Sequence, residues 1–201
     1  MVYHVTSHHS KMKELLQEIH GCKLCEPYLE HKARPVLAAA PTSRVAIIGQ
    51  APGSVVHKSG IPWDDKSGDR LRQWLGVTKD QFYDTRFFAL IPMGFCYPGK
   101  GKTGDLAPRA ECAPKWHNAL FEEMKNLKLI ILIGSYAQNK YLAHHRKKTL
   151  TETVRSFQEY LPKYIVLPHP SPRNNIWIKK NQWFEKELVP FLQQEIEELS
   201  N

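Results

Sequence analysis

The 201 residues carry 28 Lys and Arg against 20 Asp and Glu, a formal net charge of +8, with 42% hydrophobic and 24% charged residues. That composition feeds one sizeable core, so a single domain over 1–201 is expected, and it is too apolar and too varied for a disordered chain. The longest apolar stretch, around Leu129–Ile133, falls far short of the roughly 20 residues of a membrane-spanning helix, and the positive balance points to a polyanionic partner, nucleic acid first.

In chain order, helical periodicity over Ser10–Ile19 leads to a first apolar run, Arg44–Ile48. A helix over Gly68–Leu75 and a strand over Phe87–Ile91 follow, then helix Pro114–Lys125, strand Leu127–Ile133 and helices Ser135–Leu142 and Leu150–Tyr160. Strand Tyr164–Leu167 precedes a last helix, Ile176–Leu199, with a break expected at Pro190 because proline removes a helical N–H. Continuous apolar strands alternating with helices and no internal repeat predict a three-layer α/β/α sandwich around a central, mostly parallel four-stranded sheet. Ligands of such sheets gather beyond the carboxyl ends of the strands. Three unusual loops fall there: Gly49–Gly53, Pro92–Cys112 and Pro168–Asn174.

The first loop reads Gly49-Gln50-Ala51-Pro52-Gly53, a stiff turn that brings backbone N–H groups close to a ligand or simply joins strand to helix. It lacks the Lys-Ser/Thr of a phosphate-cradling loop and the GxGxxG of a dinucleotide fold. Downstream, Trp63 follows Pro62 and offers either a stacking face for a base or a core side chain. Asp64 and Asp65 stand just before a helix, where carboxylates polarise a water or act as caps. In the third loop, prolines on both sides hold His169, a donor for developing negative charge, while Ser171, Arg173 and Asn174 suit phosphate contacts; Asn174 also suits a helix cap.

Cys22 and Cys25 form C-x2-C, and after seventy residues Cys96 and Cys112 form C-x15-C. The close pair suggests a metal chelate. Structural zinc sites usually add a second close pair, which leaves zinc less attractive, whereas four thiolates also suit a cubane iron-sulfur cluster.

Together these landmarks resemble the uracil-DNA glycosylase superfamily, closest to its iron-sulfur (family 4) branch, over nearly the whole chain. The branch's ordered C-x2-C, G-E-x-P-G, G-x-P-F, C-x15-C and H-P-S-x-x reappear as Cys22-x2-Cys25, Gly49–Gly53, Gly60–Trp63, Cys96-x15-Cys112 and His169–Ser171. The resemblance implies a [4Fe-4S] cluster on the four cysteines, with zinc as the alternative. It also implies Trp63 in place of the phenylalanine that stacks on a flipped base, and His169 facing the base carbonyl. Three positions depart from the pattern: Gln50 replaces the glutamate, Pro92 the asparagine that reads the uracil edge, and Asp65 a glycine. Gln50 can orient a water but cannot act as a carboxylate base, and Pro92 offers no side-chain hydrogen bond, so the expected catalytic set for hydrolysis is His169, Gln50 and a relocated base at Asp64 or Asp65. The implied function is a monofunctional DNA glycosylase of base-excision repair, a monomer acting on DNA with a damaged or deaminated base. It would be soluble and cytoplasmic, nucleoid-associated in a bacterium, with no role at a membrane. The alternatives are an inactive damaged-DNA-binding protein and a zinc-stabilised nucleic-acid-binding module.

Overall fold

The computed structural model describes residues 3–200, with side chains from residue 11 onward. Four strands, β1 (Val45–Ile48), β2 (Phe88–Leu90), β3 (Leu129–Ile133) and β4 (Tyr164–Leu167), form one all-parallel sheet in the order β2-β1-β3-β4. Val45 lies opposite Phe88 on one side and Leu129 on the other, and Ile131 stands between Ile47 and Ile165. β1 and β3 are buried at every residue, which is why they read as unbroken apolar runs rather than alternating ones. Each strand but β4 is shorter than its apolar run, because residues such as Leu127 close turns: its N–H donates to the Met124 carbonyl.

Nine helices accompany the sheet among the described residues: α1 (Tyr3–His20), α2 (Ser54–Ser59), α3 (Lys66–Leu75), α4 (Lys79–Tyr83), α5 (Cys112–Glu123), α6 (Gly134–Leu142), α7 (Leu150–Arg155), α8 (Asn175–Lys180) and α9 (Val189–Ser200). The chain leaves β1 in one direction for β2 and then crosses back past β1 to β3. Right-handed crossovers therefore place helices on both faces. α3 packs with α9 in one layer and α1 with α5 in the other, which completes the three-layer sandwich. The strand order reverses between β1 and β3, and the crevice at that switch point is where such sheets bind ligands.

Two helices escape the periodicity analysis because five or six residues hold too little period: α2 and α4. α4 nonetheless carries a capping box, in which Thr78 accepts from the Gln81 N–H and the Gln81 side chain accepts from the Thr78 N–H. The last helix breaks elsewhere than expected. α8 ends at Asn181, and a π-helical turn over Phe184–Leu188 runs directly into α9, which holds Pro190 near its start. The wider turn just before the proline accommodates the missing N–H and the ring that would crowd the Lys186 carbonyl.

At the outer edge of β2, Ala38 makes an isolated antiparallel bridge to Leu90, exchanging both hydrogen bonds at 3.1 and 2.7 Å. Among the described residues, no helix is long and apolar enough to cross a membrane.

Candidate active site

At the carboxyl ends of β1, β3 and β4 opens a cavity of about 500 Å³. It gathers Gly49, Gln50, Ala51, Pro52 and Gly53 from the first loop, Trp63, Asp65 and Pro92, and His169, Ser171, Arg173 and Asn174 from the third. Asp64 is not part of the lining; its carboxylate stands 3.9 Å from the Lys79 ammonium. Sequence analysis did not single out Asp105, Tyr136, Ser67 or Thr103, which also line the wall.

Trp63 has φ of +58°, a conformation a bulky side chain rarely adopts and one that usually marks function. Several neighbours hold it there. Arg72, itself buried, donates from Nη1 to the Trp63 carbonyl at 3.4 Å, and Tyr83 donates to the Pro62 carbonyl at 2.9 Å. Gly68 leaves room for that carbonyl, since a Cβ at this position would run into the Trp63 oxygen. Asp65 caps α3 by accepting from the Gly68 N–H at 2.9 Å, so one of its oxygens is already committed to the fold. The indole edge lies against Gly49, where a Cβ would stand 2.6 Å from the ring, and the Trp63 and His169 rings are 5.8 Å apart. The glycine of the first loop is thus needed to seat the tryptophan.

His169 Nδ1 accepts from the Ser171 N–H at 3.2 Å. The neutral ring therefore carries its proton on Nε2, the nitrogen left to donate to a ligand. Burial pushes the imidazole below its ordinary pKa, while the Asp65 and Asp105 carboxylates pull the other way. The turn after it is locked by the Asn174 amide, which donates to the His169 carbonyl at 2.6 Å, so Asn174 braces the histidine and makes no side-chain cap to α8. Arg173 is likewise engaged: it donates to the Thr103 carbonyl at 2.8 Å and ties the third loop to the 92–112 segment. Beneath this loop, buried Gln138 donates to the Leu167 carbonyl at 2.9 Å and more weakly to Leu132 at 3.4 Å, joining the ends of β3 and β4. Gly134, at φ +77°, makes the tight exit from β3, and a Cβ there would touch His169.

Pro92 has a buried partner that the sequence did not disclose. His117 of α5 donates from Nε2 to the Pro92 carbonyl at 3.0 Å and accepts at Nδ1 from the Tyr141 hydroxyl. Burial holds His117 neutral, with a pKa of about 4.

The four cysteines line a second, smaller cavity together with Arg109, Phe95 and Trp116. Burial pushes the Cys112 thiol up to about 12 and Cys96 to about 11, and nearby cysteines add to both. The Phe95 N–H donates to Cys112 Sγ at 3.3 Å, while the Arg34 backbone and the Arg109 guanidinium work against burial at Cys96 and Cys25, pulling those thiols down. Arg109 Nε is buried with no hydrogen-bond partner. The unmatched Arg109 Nε beside these sulfurs is compatible with an anionic group held by the four cysteines. A lone tetrahedral ion would draw its sulfurs to within about 4 Å of one another, given Zn–S of about 2.3 Å. Among the described residues no three such ligands are grouped for a single ion.

The domain is thus an all-parallel α/β sandwich with a loop-built cavity at its switch point, a tryptophan at positive φ on one wall and a histidine beside it. Over residues 37–193 the chain matches the family model of the uracil DNA glycosylase superfamily, and it belongs to that superfamily. Proteins of this superfamily are generally DNA glycosylases, hydrolases that act in DNA repair. The matched span contains every residue that lines the first cavity except Val36; Cys22 and Cys25 also precede it.

Proposed function

We propose that the protein is a monofunctional DNA glycosylase that hydrolyses the N-glycosidic bond of a deaminated or otherwise damaged base flipped out of DNA. Trp63 carries this reading. Its indole is held at positive φ with its edge on Gly49 and His169 close by, a stacking face prepared before any ligand arrives. Extruding a base costs a few kcal/mol, least for a mispaired one, and stacking on an aromatic returns about 1–3 kcal/mol. As the C1′–N bond breaks, negative charge grows on the departing base, where one positioned donor contributes about 3–4 kcal/mol. His169 Nε2–H supplies that donor without having to be charged. Gln50 offers both a donor and an acceptor to the base edge, while Pro92 offers no side-chain contact, its carbonyl already bonded to His117. The base edge is thus read by groups that differ from the family pattern, and the substrate is to be sought among several lesions.

Oligonucleotides carrying uracil, hypoxanthine, xanthine and other lesions, treated with protein and then alkali, test the reading. Strand cleavage at one lesion supports it, whereas selective binding with no base release would make the protein a non-hydrolytic lesion binder.

In the same proposal Cys22, Cys25, Cys96 and Cys112 hold a [4Fe-4S] cluster. When bound, it would supply iron–thiolate bonds that fasten the N-terminal arm to the 92–112 segment. The Phe95, Arg34 and Arg109 donors would stabilise the ligated sulfurs. Anaerobically purified protein is expected to be brown with about four irons per chain. Stoichiometric zinc without iron would refute this part and favour the single-ion alternative.

A further inference from the structure

The cavity holds two carboxylates, and the one on the helix cap is poorly placed to move a proton. Asp65 gives an oxygen to the Gly68 N–H, and Asp64 lies outside the lining beside Lys79. Asp105 differs. It sits on an exposed hairpin in which Lys100 and Asp105 form an antiparallel bridge, closed by the Gly101 N–H to Gly104 at 2.6 Å and the Leu106 N–H to Gly99 at 2.9 Å. Gly99 at φ +102° provides the backbone this turn needs. The hairpin is pinned across the cavity by Arg173, which reaches the Thr103 carbonyl over Gly104, where any Cβ would collide with its guanidinium. The Asp105 carboxylate consequently faces the first loop, with Oδ2 3.4 Å from where a Cβ on Gly53 would be, and its charge reaches His169. Its other oxygen has only a long contact, 3.5 Å, to the Tyr97 hydroxyl, and among the described residues it makes no ion pair.

We propose that Asp105 is the catalytic base of this site, taking a proton from the attacking water. The inference rests on the glycosylase reading above. The water oxygen bonds to C1′ as the C1′–N bond breaks, and the bonding pair leaves with the base. Asp105 accepts the water proton, and the base anion, held by His169 Nε2–H, takes a proton from solvent after release. The sugar is left with a 1′-hydroxyl, so atoms and charge balance without any further reactant. Water activation is thereby assigned to a hairpin facing the first loop, whose Gln50 cannot accept a proton.

Single-turnover rates and lesion-DNA affinities of wild type, Asp105→Asn and Asp105→Glu test this. Asp105→Asn is expected to slow base release by about 100-fold or more, a general-base effect, with affinity within a few fold and an unchanged melting temperature. Asp105→Glu should recover part of the rate. Asp105→Asn within about threefold of wild type would overturn the assignment while leaving the glycosylase reading intact. A rate loss matched by an equal loss of affinity would also overturn it, showing that Asp105 only binds. Wild type releasing no base from any lesion would sink both.

Discussion

Inside a helix, alanine is normally preferred to glycine by about 1 kcal/mol. At Gly68 that order should reverse, because the new methyl would run into the Trp63 carbonyl that Arg72 holds in place. Gly68→Ala is expected to cost about 1–3 kcal/mol, in the range of overpacking, with a lower melting temperature and altered tryptophan fluorescence. A raised melting temperature would show that Trp63 is not fixed by this contact. His169 makes a complementary case. Its Nδ1 is occupied by the Ser171 N–H, so the side chain does most when charge develops near Nε2. His169→Ala should therefore lower base release by about 100- to 1000-fold with DNA affinity within a few fold, read from single-turnover rates and binding isotherms.

At the scale of elements, α5 joins the two cavities: Cys112 opens it and His117, one turn and a half on, bonds Pro92. His117 is neutral in the fold because burial lowers its pKa to about 4 from the usual 6.5. The unfolded chain binds the proton that the folded one refuses. The stability contributed by neutral His117 is complete above pH 6.5, falls by about 1.4 kcal/mol per unit as pH drops toward 4, and levels off below. Denaturation at pH 7, 5.5 and 4 should show this decline in wild type, with a shallower one in His117→Gln. Equal slopes would exclude His117 as the titrating group. The strands that frame α5 were legible because fully buried parallel strands leave unbroken apolar runs, and the first and third loops stood out through their glycines and prolines. α2 and α4 were not, being too short to show a period. The same holds for side chains whose role depends on distant partners: His117 meets Pro92 25 residues away, and Arg173 reaches Thr103 across 70. No local pattern encodes such pairs, and Asp105 becomes visible only once Arg173 has drawn its hairpin over the cavity.

For the molecule as a whole, the +8 charge is expected to act through phosphate contacts that add to whatever the cavity recognises. Affinity for DNA should fall linearly on a log–log plot against salt. Arg173 is engaged with a carbonyl, so the exposed Lys102 beside it on the hairpin is the better candidate for a phosphate contact. Lys102→Ala should reduce the salt slope by about one and weaken binding to all sequences alike. An unchanged slope would remove Lys102 from the footprint.

The two hydrogen bonds between Ala38 and Leu90 have a bearing on how copies of this chain behave together. A parallel sheet exposes a row of unpaired backbone groups along each outer strand, and such rows recruit other chains. Here the flanking Pro35 and Pro41 keep the bridging segment from growing into a full strand, yet one bridge at the last residue of β2 takes up both backbone groups of Leu90. With β2 only three residues long, little template is left on that side for edge-to-edge pairing, so aggregation of the folded protein should not begin there.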